Sequence, residues 1–178
     1  MAEVAKLVGT YFVECVAKDG TVKWTDTIVN TVMTEGKNLA LDTILAGSSY
    51  TVVGPYMGLI SNTSFTAIAA GDTAAQINGT NGWKEAGSTN NPTYSGTRKT
   101  AVFNSASGGS KGLSASLSFA ITSTGPDICK GAFIIYGTGA VSTINNTSGK
   151  LLSAGLFTGG DKSVSNGDTL NISWSLAM

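Results

Sequence analysis

Leu170-Asn171-Ile172-Ser173-Trp174-Ser175-Leu176 alternates one apolar residue with one small polar residue along its whole length. A period of two sends Leu170, Ile172, Trp174 and Leu176 to one face and Asn171, Ser173 and Ser175 to the other, which defines a β-strand with one dry face and one wet face. The Asn166-Gly167 pair just before it marks a turn. Residues 113–121 repeat the pattern, with Leu113, Ala115, Leu117, Phe119 and Ile121 against Ser114, Ser116 and Ser118. Further back, residues 98–103 set Ala101 and Phe103 against Thr100 and Val102. The run at 132–136 is apolar throughout, as in a central strand covered on both sides, and 151–157 is another candidate. Tyr56-Met57-Gly58-Leu59-Ile60, entered through Gly54-Pro55, reads as a buried strand. At the start, residues 8–16 and 21–29 are rich in β-branched and aromatic residues, and Lys18-Asp19-Gly20 between them predicts a hairpin.

One helix is expected, at about residues 35–46. Thr34 is placed to cap it and Glu35 suits the positive end of its dipole. Ala40, Leu41, Ile44 and Leu45 recur at helical spacing, and Gly47 ends it. Three turns are too few to be stable alone, so the stripe Ala40-Leu41-Ile44-Leu45 is expected to lie against a sheet. About eight strands, many turn signals and one short helix describe an all-β fold, an antiparallel β-sandwich or jelly roll. The expected organisation is an N-terminal arm at 1–7 and a single sandwich domain at 8–178 with a long polar excursion at 61–96. Within the excursion, Asp72 is expected to cap one helical turn over residues 73–76, and Trp83 with Tyr94 to pin the segment to the body. Arm and excursion both read as weakly self-packed segments that need a partner to be ordered.

Composition agrees. The chain has 178 residues, and its 11 basic and 11 acidic side chains cancel and make up 12% of it, half the usual charged fraction. Solubility falls to 23 Thr, 20 Ser and 12 Asn, beside 23 Gly, residues that favour pleated surfaces and turns. There is no histidine, which removes Ser-His-Asp and Cys-His catalysis, His-ligated zinc and imidazole acid–base chemistry. With Arg98 the only arginine and no net charge, no basic face for nucleic acid is expected. No apolar run approaches a membrane span. Met1-Ala2-Glu3-Val4-Ala5-Lys6 lacks the charge and apolar run of a signal peptide. The sequons opened by Asn62, Asn78, Asn145, Asn146 and Asn171 then read as by-products of an Asn/Ser/Thr-rich surface.

Cys15 and Cys129 read as small buried hydrophobes rather than a disulfide or a catalytic thiol. Asp161 and Asp168 sit on neighbouring turns. A calcium site or an acid pair is the chemical reading, but turn roles are favoured because two-residue ligand spacing is lacking. Asp19 and Asp26 read as turn and surface groups. Ser107-Gly108-Gly109-Ser110-Lys111-Gly112 precedes no helix and reads as a hairpin connection, not a phosphate loop. Tyr50, Tyr56, Trp83 and Tyr94 are candidates for a sugar platform, with core packing as the plainer alternative. No catalytic, cofactor-binding or metal-ligating residue is assigned, no cofactor is implied, and a structural or binding protein fits better than an enzyme.

Several segments resemble a family of tailed-bacteriophage virion proteins. They are Tyr11-Phe12-Val13-Glu14-Cys15 with Lys18-Asp19-Gly20-Thr21-Val22-Lys23-Trp24; Glu35-Gly36-Lys37-Asn38-Leu39-Ala40-Leu41-Asp42; Tyr56-Met57-Gly58-Leu59-Ile60; Gly82-Trp83-Lys84-Glu85; and Tyr94-Ser95-Gly96-Thr97-Arg98. The ending, Ser153-Ala154-Gly155-Leu156-Phe157, Gly159-Gly160-Asp161-Lys162 and Asn166-Gly167-Asp168-Thr169-Leu170, keeps the same order. The resemblance implies a capsid decoration (cement) protein with a β-sandwich body. It would be made in the host cytoplasm and sit on the phage head surface, with the major capsid protein and itself, as homodimer or homotrimer, for partners. Neither nucleic acid nor membrane is among them. The alternative is a tail or head-fibre component binding host-surface glycans; a carbohydrate-active enzyme with two carboxylates ranks third.

Overall fold

The computed structural model describes residues 6–45 and 53–178. In chain order it holds β1 (Val8–Val16), β2 (Val22–Val29), β3 (Thr31–Val32), helix α1 (Thr34–Ile44), β4 (Tyr56–Ser61), a 3-10 turn (Ala74–Gln76), β5 (Lys84–Glu85) and β6 (Lys99–Thr100). There follow β7 (Ser110–Gly112), β8 (Leu117–Ala120), β9 (Asp127–Tyr136), β10 (Lys150–Leu156), β11 (Lys162–Val164) and β12 (Thr169–Ala177). The fold is an all-β antiparallel sandwich of two sheets. One sheet runs β2-β1-β12-β7 with β8 also on β12; the other runs β3-β10-β9-β4-β5, with β11 on β9 and β6 on β4. Among the described residues twelve strands stand where about eight were expected, because five are only two or three residues long. Such pieces are too short to carry a period.

The opening hairpin forms as read. Asp19 accepts hydrogen bonds from the backbone N–H and hydroxyl of Thr21 at 2.9 and 2.7 Å, and Gly20 takes the left-handed position at φ +87°. Alternation along β1 buries Tyr11, Val13 and Cys15, which lie opposite Trp174, Ile172 and Leu170 of β12. Of the single strand expected over 113–121 only β8 forms, while β7 lies just before that span, inside the segment read as a hairpin connection. Between them Ser114 donates its N–H to Val102 at 2.8 Å, leaving the ladder to hold the preceding segment.

β9 explains why its sequence is apolar without alternation. Cys129, Ala132 and Ile134 face the core between the sheets, and Phe133 and Ile135 face a second cluster on the far side. That second cluster is roofed by Ala74, Ile77 and Trp83, so the excursion is not weakly packed: it forms a third layer. Trp83 is fully buried, and its indole N–H donates to the Asp72 carboxylate at 2.8 Å. Asp72 also accepts from the Ala69 N–H at 3.0 Å. It therefore does not cap the 3-10 turn, whose N-cap is Thr73 and has no side-chain capping hydrogen bond. Tyr94 holds the other end of the segment within the main core, edge-on to Phe119 at 5.0 Å.

The helix forms where expected but turns the other way. Gly36 and Leu39 are buried, while Leu41, Ile44 and Leu45 are 56%, 63% and 74% exposed. A Cβ on Gly36 would lie 2.7 Å from the Leu152 carbonyl oxygen, so the missing side chain lets α1 sit directly on β10. Its cap position is Met33, fully buried, and no side chain caps it; Thr34 already belongs to the first turn. Glu35 accepts from the N–H groups of Ala74 and Leu151 at 3.2 and 2.9 Å and pairs with Lys150 at 3.0 Å, tying helix, excursion and β10 together. Gly47, Tyr50 and residues 1–5 of the expected arm lie outside the described residues.

Candidate interaction surface

The outer face of the five-stranded sheet is built by the alternation that fills its inner face. Its rows are set by register: Val8 beside Ala177, Thr10 between Val29 and Ser175, Phe12 between Thr27 and Ser173, Glu14 between Thr25 and Asn171. Ser118 of β8 extends the last row and donates to Asn171 Oδ1 at 2.6 Å. Phe12 stands near the middle, 49% exposed, with Val8 and Val29 also open to solvent. Across these rows Glu14 is the one ionisable side chain. Protein surfaces ordinarily carry charge at about a quarter to a third of positions, so this face is depleted of charge and lined by hydroxyls around an aromatic.

The carboxylates singled out in the sequence are engaged separately. Asp161 pairs with Lys130 at 2.8 Å and Asp168 with Lys23 at 2.6 Å, Asp168 also accepting from the Ser165 N–H at 2.8 Å. The turn role assigned to Asp168 thus stands, with an ion pair added. Asp26 is more than a surface group. Its side chain is 7% exposed, pairs with Lys162 at 2.7 Å, and accepts from the Thr158 hydroxyl and the Gly159 N–H. Burial alone would raise its carboxyl, but Lys162, Thr158 and the N–H groups of Thr27 and Gly159 hold it down at about 2. Among the described residues no group of three or more His, Cys, Asp or Glu could hold a metal ion. No helix among them is long and apolar enough to cross a membrane.

The sequence reading missed the buried Glu85–Arg98 pair. Arg98 donates through Nε to Glu85 Oε1 at 2.8 Å and through Nη2 to Oε2 at 2.6 Å, and both side chains are wholly buried. Its remaining donors reach the Val141 and Asn146 carbonyls, and the Asn145 N–H donates to Glu85 at 2.7 Å. Burial raises the Glu85 carboxyl against the opposing pull of Arg98 and the Asn145 N–H. The available signal was a lone arginine in a chain whose other cations are all lysine, since a bidentate buried pair calls for a guanidinium.

Of the proposed sugar platform, Trp83 and Tyr94 are buried and Tyr56 half-buried. Both cysteines are free and buried, and burial pushes Cys15 up to about 11 and Cys129 up to about 12, leaving both as neutral thiols. No family model, curated protein or solved structure matches this chain.

Proposed function

We propose that the chain is a structural protein of a tailed-phage particle, a capsid decoration protein that binds the lattice of major capsid protein and stabilises the DNA-filled head without catalysing a reaction. Two supports stand behind this reading: the ordered run of segments that resemble phage virion proteins, and the sheet face around Phe12. The face carries the argument. With one ionisable group, it has little long-range field, so recognition there rests on shape and short hydrogen bonds. Each contact is weak, and repetition over a lattice converts weak contacts into avidity. Preference for the expanded lattice then stabilises that state by mass action.

The glycan-binding alternative draws less support, because Trp83 and Tyr94 lie in the interior rather than along an exposed groove. Co-sedimentation of the purified chain with empty expanded heads tests the proposal. Saturable binding that is weakened by Phe12→Glu and by deletion of residues 1–7 is the expected result. Protein left in the supernatant, or immunogold label at the tail instead of over the shell, refutes it.

A further inference from the structure

Three asparagines precede a glycine, in Asn78-Gly79, Asn81-Gly82 and Asn166-Gly167. Every other asparagine is followed by a residue with a side chain. An asparagine before glycine is chemically labile, because the next backbone nitrogen lies within reach of the carboxamide carbon and no Cβ hinders the approach. That nitrogen must first lose its proton, and a hydrogen bond that holds the N–H opposes the loss.

The fold obstructs this route at two of the three pairs. The Gly79 N–H donates to the Gln76 carbonyl at 2.9 Å, and the Gly167 N–H to the Ile121 carbonyl at 3.0 Å. The side chains ahead of them are held as well. Asn78 donates to Asn145 Oδ1 at 2.9 Å and accepts from the Glu85 N–H at 2.9 Å, and Asn166 donates to the Thr122 carbonyl at 3.0 Å. At the third pair the Gly82 N–H has no acceptor among the described residues. Asn81 is half-buried, and its side chain makes a single hydrogen bond among them, from Nδ2 to the Thr73 carbonyl at 3.2 Å.

We propose that Asn81 is a site of spontaneous deamidation, and that its conversion loosens the third layer of the fold. The Gly82 nitrogen gives its proton to hydroxide and bonds to Asn81 Cγ; the Cγ–Nδ2 bond breaks, and Nδ2 takes up a proton and leaves as ammonia. Water then opens the succinimide ring. Attack at the main-chain carbonyl breaks its bond to the Gly82 nitrogen, so the backbone runs on through Cγ as isoaspartate, a methylene longer and bearing a carboxylate. In sum, one water is consumed and one ammonia released. The layer is closed around Gly82 and has no room for the added length. The Gly82 carbonyl accepts from the N–H groups of Thr66 and Ala67 at 2.6 and 3.3 Å, and a Cβ on Gly82 would lie 2.7 Å from the Ala67 carbonyl oxygen. Trp83, fully buried in that layer, follows directly. None of this depends on what the sheet face around Phe12 binds.

Peptide mapping by mass spectrometry, on the full chain aged in mildly alkaline buffer, tests it. Asn81 is expected to convert about tenfold faster than Asn78 or Asn166, the factor for breaking a hydrogen bond before attack. In guanidinium, where the hydrogen bonds of the fold are gone, the three pairs are expected to convert at like rates. Hydrogen exchange of the aged chain is expected to deprotect residues 61–96 ahead of β1 and β12. Asn81→Gln, whose longer side chain disfavours the ring closure, is expected to keep those residues protected through the same ageing. Conversion led by Asn78, Asn166 or the exposed Asn104 in the folded chain overturns the proposal, as does an Asn81 that stays intact. The same ranking in guanidinium would trace the selectivity to local sequence instead of the fold, and overturns it too. An isoaspartyl product with unchanged exchange overturns the loosening.

Discussion

Arg98 and Glu85 set the largest single-residue expectation. Their bidentate pair is fully buried and closed by three backbone groups, so removing one partner strands a charge in the interior. Arg98→Met is expected to cost about 3–5 kcal/mol in urea unfolding, and the double variant with Glu85→Gln less than the sum of the two singles. Asp26 sets an acid limb. Its carboxyl, ordinarily near 3.8, titrates at about 2 in the folded chain, so the unfolded chain takes up the proton first. Its stabilisation is complete above the ordinary value and fades as pH falls through about 2. Thermal unfolding of Asp26→Asn is expected to show a shallower decline over that window than the wild type. The cysteines give a third check: neither reacts with Ellman's reagent in the folded chain, and both react in guanidinium.

At the scale of elements, α1 shows how packing overrides pattern. Its most apolar stripe, Leu41-Ile44-Leu45, is open, and the face that meets β10 is made by Gly36 and Leu39. Helix propensity predicts that Gly36→Ala stabilises by about 1 kcal/mol. Here the new Cβ meets backbone at 2.7 Å, so the substitution is expected to lower the melting temperature instead. Leu39→Ala is expected to cost about 2–4 kcal/mol by emptying a buried site, and Leu41→Ala to stay within about 0.5 kcal/mol. Reversal of that order would place the helix on its other face. The long strands were legible because β1, β8 and β12 each bury one face and alternate, and β9 buries two and does not. The short strands were not legible, since two or three residues define no period.

At the scale of the whole molecule, the excursion turns a two-sheet sandwich into a three-layer body. Trp83, packed at 5.5 Å from Phe133 and bonded to Asp72, is its anchor. Trp83→Ala is expected to cost about 3–5 kcal/mol. In hydrogen exchange it should deprotect residues 61–96 and β4 before β1 and β12, because the main core lies on the other side of the sheet. Uniform deprotection would mean that the layers unfold as one.

By itself the sequence determined that the chain is an antiparallel all-β fold, where most of its long strands run, and that chemistry needing histidine is excluded. Those properties follow from period and composition, which act within a few residues. Only the tertiary structure decided which face α1 buries, that the polar excursion is a packed layer, that Arg98 is an interior group, and that of the three Asn-Gly pairs only Asn81-Gly82 has no acceptor for its glycine N–H among the described residues. Each of these depends on which distant backbone comes within contact distance. A missing side chain at Gly36 or Gly82 carries no pattern until its neighbour across the fold is in place.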